Sequence, residues 1–128
     1  MVLRLLVFVY LLERYIVILM NEQCYYRVSI KGTVIDENSR ILLSRGDNSR
    51  WGLLGGGVDH DEDPMDCLRR EIHEEAGLTV TYVSKAPICF VTARRAKAGN
   101  YIANVVYEIK LKDLNFTPSD ECQELRFF

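Results

Sequence analysis

The chain has little of what builds a scaffold without a hydrophobic core. It holds three prolines and four cysteines in 128 residues. Cys24, Cys67, Cys89 and Cys122 are scattered and form no CxxC pair, which argues against a zinc site and a disulfide framework. That usage suits a reducing compartment, and the cytoplasm is the expected location. Charge of either sign is not in excess: 16 basic residues face 18 acidic ones. Bulk charge therefore gives no reason to expect a nucleic-acid partner. Internal repeats and low-complexity tracts are absent. What remains is 48% apolar, enough to exclude a disordered chain, and the length suits one domain.

The two ends stand apart from the middle. Residues 1–19 are strongly apolar but interrupted by Arg4, Glu13 and Arg14, a poor pattern for a membrane span. They are expected to be an extension outside the core fold, with the domain proper at 20–128. A membrane partner enters only if that extension is a genuine part of the protein.

The most informative segment is Arg70-Glu71-Ile72-His73-Glu74-Glu75-Ala76-Gly77-Leu78. As a helix it places Glu71, Glu74 and Glu75 on one stripe, since positions three and four apart are neighbours. Like charges gathered in this way repel, and the usual reason to hold them on a rigid face is to bind a hard divalent cation. The flanks predict a helix over 64–76: Asp63 can cap it, Pro64 fits its first position and Gly77 can end it. Met65, Leu68, Ile72 and Ala76 form its apolar stripe. The acids lie beside that stripe, at the edge of the core. A solvated acidic face paired with Arg69 and Arg70 is the plainer alternative.

Upstream runs Trp51-Gly52-Leu53-Leu54-Gly55-Gly56-Gly57-Val58-Asp59. Its glycines let backbone approach a ligand closely, a sensible place for a polyphosphate. Gly56, Glu62, Arg70, Glu71, Ile72, Glu74, Glu75, Gly77 and Leu78, at these spacings, resemble the box of the Nudix hydrolases over residues 56–78. A weaker likeness extends from Tyr25 to the C-terminus. The resemblance implies an α/β/α sandwich with a mixed β-sheet, here lacking its last helix. It implies that Glu71, Glu74 and Glu75 bind Mg²⁺ or Mn²⁺, with the Gly55 carbonyl a further ligand. It also implies that Glu62 supports the site through water or through Arg70, and that Arg70 orients a carboxylate. The expected reaction is cleavage of a phosphoanhydride in a small nucleotide, either a nucleoside diphosphate linked to another group or a triphosphate. A nucleotide-binding sensor of the same fold is the alternative. Two positions depart from many relatives, Leu54 where proline is common and Asp61 where glycine is.

Glu71, Glu75, Glu121 and Glu124 are all candidates for the general base. Arg45, Arg50, Arg94, Arg95 and Glu124 are candidate substrate contacts, and Lys97 shares the same basic loop. Trp51 is either a base-stacking platform or a packing residue. An uncovered sheet face would favour self-association or a partner, a homodimer among the options. Strands are expected at 26–36, 40–45, 78–84, 86–92 and 101–111, with a loop or turn at 119–124.

Overall fold

The computed structural model describes residues 25–94 and 100–128. The extension at 1–19, Arg95 and Lys97 lie outside those residues. The described elements follow in the order β1 (Tyr26–Thr33), β2 (Leu42–Arg45), β3 (Trp51–Gly52), α1 (Pro64–Ala76), β4 (Val80–Val83), β5 (Cys89–Arg94), β6 (Tyr101–Leu111) and β7 (Glu124–Phe127). The fold is mixed α/β, as expected from strands on both sides of one helical pattern. No helix among the described residues is long and apolar enough to cross a membrane.

The larger sheet is built on β6. One edge of β6 pairs in parallel with β1, with Ile30 opposite Val105 and Gly32 opposite Tyr107. Its other edge pairs antiparallel with β5 along the first half and with β4 at the end. The smaller sheet is antiparallel, with β2 between β3 and β7.

Helix α1 has the limits its caps predict. The Asp63 side chain accepts hydrogen bonds from the Met65 and Asp66 N–H groups. Gly77 closes the last turn in the left-handed region at φ 67° and donates its N–H to the His73 carbonyl. Leu68, Ile72 and Ala76 are fully buried, Met65 partly so, and Cys67 is buried as well. They meet Ile30 and Ile109 from the large sheet, and Leu54 and Leu78 from the flanking loops. Truncating Leu68 to alanine at this interface would cost about 2–5 kcal/mol.

Three boundaries differ from expectation. β1 leaves the large sheet after Thr33, and Ile35 bridges to Ile41 in the hairpin that starts the small sheet. β5 runs on to Arg94, because its partner Tyr101 continues the ladder. Residue 124 is not the end of a loop but the first of β7, whose partner β2 lies far back in the chain.

Candidate active site

The glycine segment is laid along the free edge of β1. Gly32 N–H donates to the Leu54 carbonyl at 2.9 Å, and Ile30 N–H to the Gly56 carbonyl at 2.9 Å. The Val58 N–H returns a bond to Val28 at 3.1 Å. The Gly56 carbonyl also accepts from the Ser29 hydroxyl at 3.0 Å. Gly55 lies between two residues tied to β1, and its own carbonyl accepts from the Lys31 ammonium instead. Gly55 has φ 107°, where a side chain would be strained and would also strike the Ile30 carbonyl. At Gly56 a Cβ would collide with the Glu71 carboxylate. The triple glycine therefore makes room for a carboxylate to lie against backbone.

The helix presents its acids to this loop in two groups. Glu75 turns toward Gly55 and accepts its N–H at 3.1 Å. Burial pushes the Glu75 carboxyl up to about 7, against the pull of the Gly55 N–H and the Lys31 charge; Glu121 and Glu71 add to the rise. The second group is organised by Arg70. Its guanidinium donates to both oxygens of Glu62, at 2.6 and 2.8 Å. Another of its nitrogens donates to Glu71 at 2.8 Å and to Glu74 at 3.1 Å. These bonds hold Glu62 down at about 2, helped by the Asp59 N–H, and hold Arg70 firmly charged. Glu62 and Glu71 are largely shielded, whereas the Glu74 side chain is 59% exposed. Glu74 is thus less sheltered than a single stripe at the core edge implies. At about 100° per residue, Glu71 and Glu75 flank the loop and Glu74 falls on the outer side of Glu71.

The donors suit a hard divalent cation. Glu71, Glu74, Glu75 and the Gly55 carbonyl offer only oxygen, and the cradle beside Glu71 exists because Gly56 has no side chain. As placed, no three His, Cys, Asp or Glu side chains among the described residues are gathered tightly enough to clasp an ion. Their carboxylates are engaged instead by Arg70 and the Gly55 amide.

The other candidates are dispersed. Arg45 and Glu124 face each other across β2 and β7 and form an ion pair, so each is the other's partner. Glu124 also accepts from Arg126 at 2.6 Å. Arg50 is exposed in the loop before β3, and Arg94 is exposed at the end of β5. Trp51 packs edge-on against Phe128 at 4.8 Å, with the Arg45 and Arg126 guanidinium groups 5.2 Å from its ring. Cys67 is buried, and its thiol is pushed up to about 11 by burial and by the nearby Glu62 charge. Two residues escaped sequence reasoning. Lys31 reaches Gly55, and Arg27 lies over Gly57 and pairs with Asp59 at 3.5 Å. Lys31 was visible as a lone cation in an otherwise uncharged stretch of strand, Val28 to Thr33.

Comparison with known proteins shows what this chain is similar to. The NUDIX domain pattern matches residues 25–128, and the chain belongs to that family. A MutT-like protein of Streptomyces ambofaciens is 41% identical over 56 residues, which cover 43% of this chain and 36% of that one. An RNA pyrophosphohydrolase of Ruthia magnifica subsp. Calyptogena magnifica is 33% identical over 60 residues, covering 46% of this chain and 34% of its own. The matched stretch thus spans about a third of the length of these curated relatives. The crystal structure of a MutT NUDIX hydrolase from Burkholderia pseudomallei superposes with a TM-score of 0.67 at 27% identity, over 81% of this chain and 83% of that one.

Proposed function

We propose that this chain is a divalent-metal-dependent hydrolase that cleaves a phosphoanhydride bond in a small nucleotide. The substrate is a nucleoside diphosphate linked to another group, or a nucleoside triphosphate. The products are a nucleoside monophosphate and the phosphorylated remainder, or pyrophosphate. The observation that carries this reading is that Glu75 lies against Gly55 and Glu71 against Gly56, where a side chain on the second glycine would displace the carboxylate.

Glu71, Glu74, Glu75 and the Gly55 carbonyl would hold Mg²⁺ or Mn²⁺, with Glu62 supporting them through Arg70. Bound there, the ion would neutralise the polyphosphate oxygens and orient the bond to be cut. Arg70 keeps Glu62 and Glu71 in fixed positions by a planar fork that lysine cannot reproduce. Glu75 differs from Glu71 and Glu74 in having no arginine partner on its carboxylate among the described residues. Of the two candidate bases on the helix, Glu71 and Glu75, it is therefore the better placed to take a proton from the attacking water. Glu124 is the least suited, because Arg45 and Arg126 already hold its two oxygens.

The test is a substrate screen on the protein with and without Mg²⁺. It includes a nucleoside triphosphate, a nucleoside diphosphate sugar, a dinucleoside polyphosphate and an RNA with a 5′-triphosphate. Hydrolysis of a small nucleotide that stops with a chelator, and falls about 10²-fold or more in Glu74→Gln, supports the reading. Hydrolysis that survives the chelator overturns it. Nucleotide binding without turnover in Mg²⁺ would assign the chain to the sensor class instead.

A further inference from the structure

The candidate site already contains a cation. Lys31 sits on β1 between the buried Ile30 and Gly32, and its ammonium donates to the Gly55 carbonyl. The amide of that same Gly55 donates to Glu75, and the Lys31 charge reaches the Glu75 carboxyl. One glycine thus has its oxygen turned to a positive side chain and its N–H turned to a negative one.

That arrangement opposes a metal. A carbonyl oxygen that accepts from an ammonium is a poor ligand for a doubly charged ion, since two cations a few ångström apart repel in a partly shielded site. The lysine also has room to withdraw. A cavity of about 280 Å³ opens beside it, lined by Lys31, Leu53, Val91, Asn104 and Val106. The long flexible stem lets the charged head change position at little cost to packing.

We propose that Lys31 is a tethered cation that competes with the divalent ion for the Gly55 carbonyl and so sets the metal concentration at which the site fills. As metal enters, the Lys31 stem lies along the open, largely apolar wall of the neighbouring cavity and its head turns toward water. The inference rests on the reading above that the Gly55 carbonyl is one of the ion's ligands.

The experiment is a Mn²⁺ titration of the full chain without nucleotide, followed by electron paramagnetic resonance of the free ion. Wild type is compared with Lys31→Met, Lys31→Gln, Lys31→Arg and Glu71→Gln. Lys31→Gln removes the charge and keeps an N–H donor, on a stem one bond shorter. Both neutral variants are expected to bind Mn²⁺ about tenfold more tightly than wild type. Lys31→Arg should bind no more tightly than wild type, because it restores the charge. Neutral variants that bind equally or more weakly, while Glu71→Gln still loses affinity, overturn the role of Lys31 and leave the metal site standing. Mn²⁺ affinity unchanged in Glu71→Gln would remove the metal site itself, and the inference with it. If Lys31→Met melts too low to titrate, Lys31→Gln alone decides.

Discussion

Arg70 grips Glu62 through two parallel hydrogen bonds of 2.6 and 2.8 Å, across eight residues of sequence that include the start of the helix. The pair ties the loop after the glycines to the second turn of α1. It also leaves one nitrogen of Arg70 for Glu71 and Glu74. Replacing Arg70 with lysine keeps the charge but loses the fork. Hydrolysis should fall by about 10- to 100-fold, as expected when the group orienting a ligand is lost. A steady-state assay of Arg70→Lys beside Arg70→Ala checks this. If lysine restores wild-type turnover, charge alone suffices and the fork has no role.

The Glu75 carboxyl gives a pH signature in the absence of divalent ions. It titrates at about 7 in the folded protein against an ordinary 4.5, chiefly because it is buried. Between those two values the folded chain holds a proton that the unfolded chain has released. Its contribution to stability is therefore full below the lower value and is lost as pH rises through the upper one. Glu75→Gln keeps an oxygen for the Gly55 N–H and removes the ionisation. Its melting temperature should exceed that of wild type at about pH 8, with the gap narrowing toward about pH 5. A variant less stable than wild type at the higher pH would show that the ionised carboxylate is well satisfied where it lies.

What could be seen in the sequence was what is local. Asp63, Pro64 and Gly77 are adjacent to the helix they delimit, so their chemistry fixed its ends from Pro64 to Ala76. The box residues lie within one loop and one helix, so their proximity followed from helical spacing and a short connection. Arg45 and Glu124 were each legible as charged residues, yet not as a pair. They are 79 positions apart, and their contact depends on β7 adding itself antiparallel to β2. Alternation in Leu125-Arg126-Phe127-Phe128 is compatible with a strand, but nothing near it names the partner. The same holds for Lys31, whose target Gly55 is 24 residues away and meets it only because the glycine segment runs along β1.

Cysteine reactivity should follow burial. Cys67 and Cys122 are buried and their thiols are raised by desolvation, whereas Cys89 is exposed on β5. Thiolate is the reacting species, so a brief iodoacetamide pulse on the folded protein should modify Cys89 well before Cys67 or Cys122. Urea should remove the difference, as peptide mass spectrometry would show. Rapid labelling of Cys67 under native conditions would mean that the helix parts from the glycine loop on that timescale.

The two central glycines should fail in different ways when changed to alanine. At Gly55 the penalty is in the backbone: φ is 107°, and a Cβ would strike the Ile30 carbonyl, which belongs to the sheet and cannot move cheaply. Gly55→Ala should lower stability by about 2 kcal/mol or more, visible as a reduced urea midpoint. At Gly56 the φ angle lies outside the left-handed range, and the atoms in the way are the carboxylate of Glu71, the end of a flexible side chain. The side chain can swing aside, so Gly56→Ala should fold with a midpoint close to wild type. Glu71 would then be displaced from the loop, and a shift of about 1 Å in a reacting group can cost about 10²-fold in rate. The discriminating result is a Gly56→Ala protein that unfolds normally and hydrolyses poorly. Full activity in that variant would mean that Glu71 does not act from the place it occupies against Gly56.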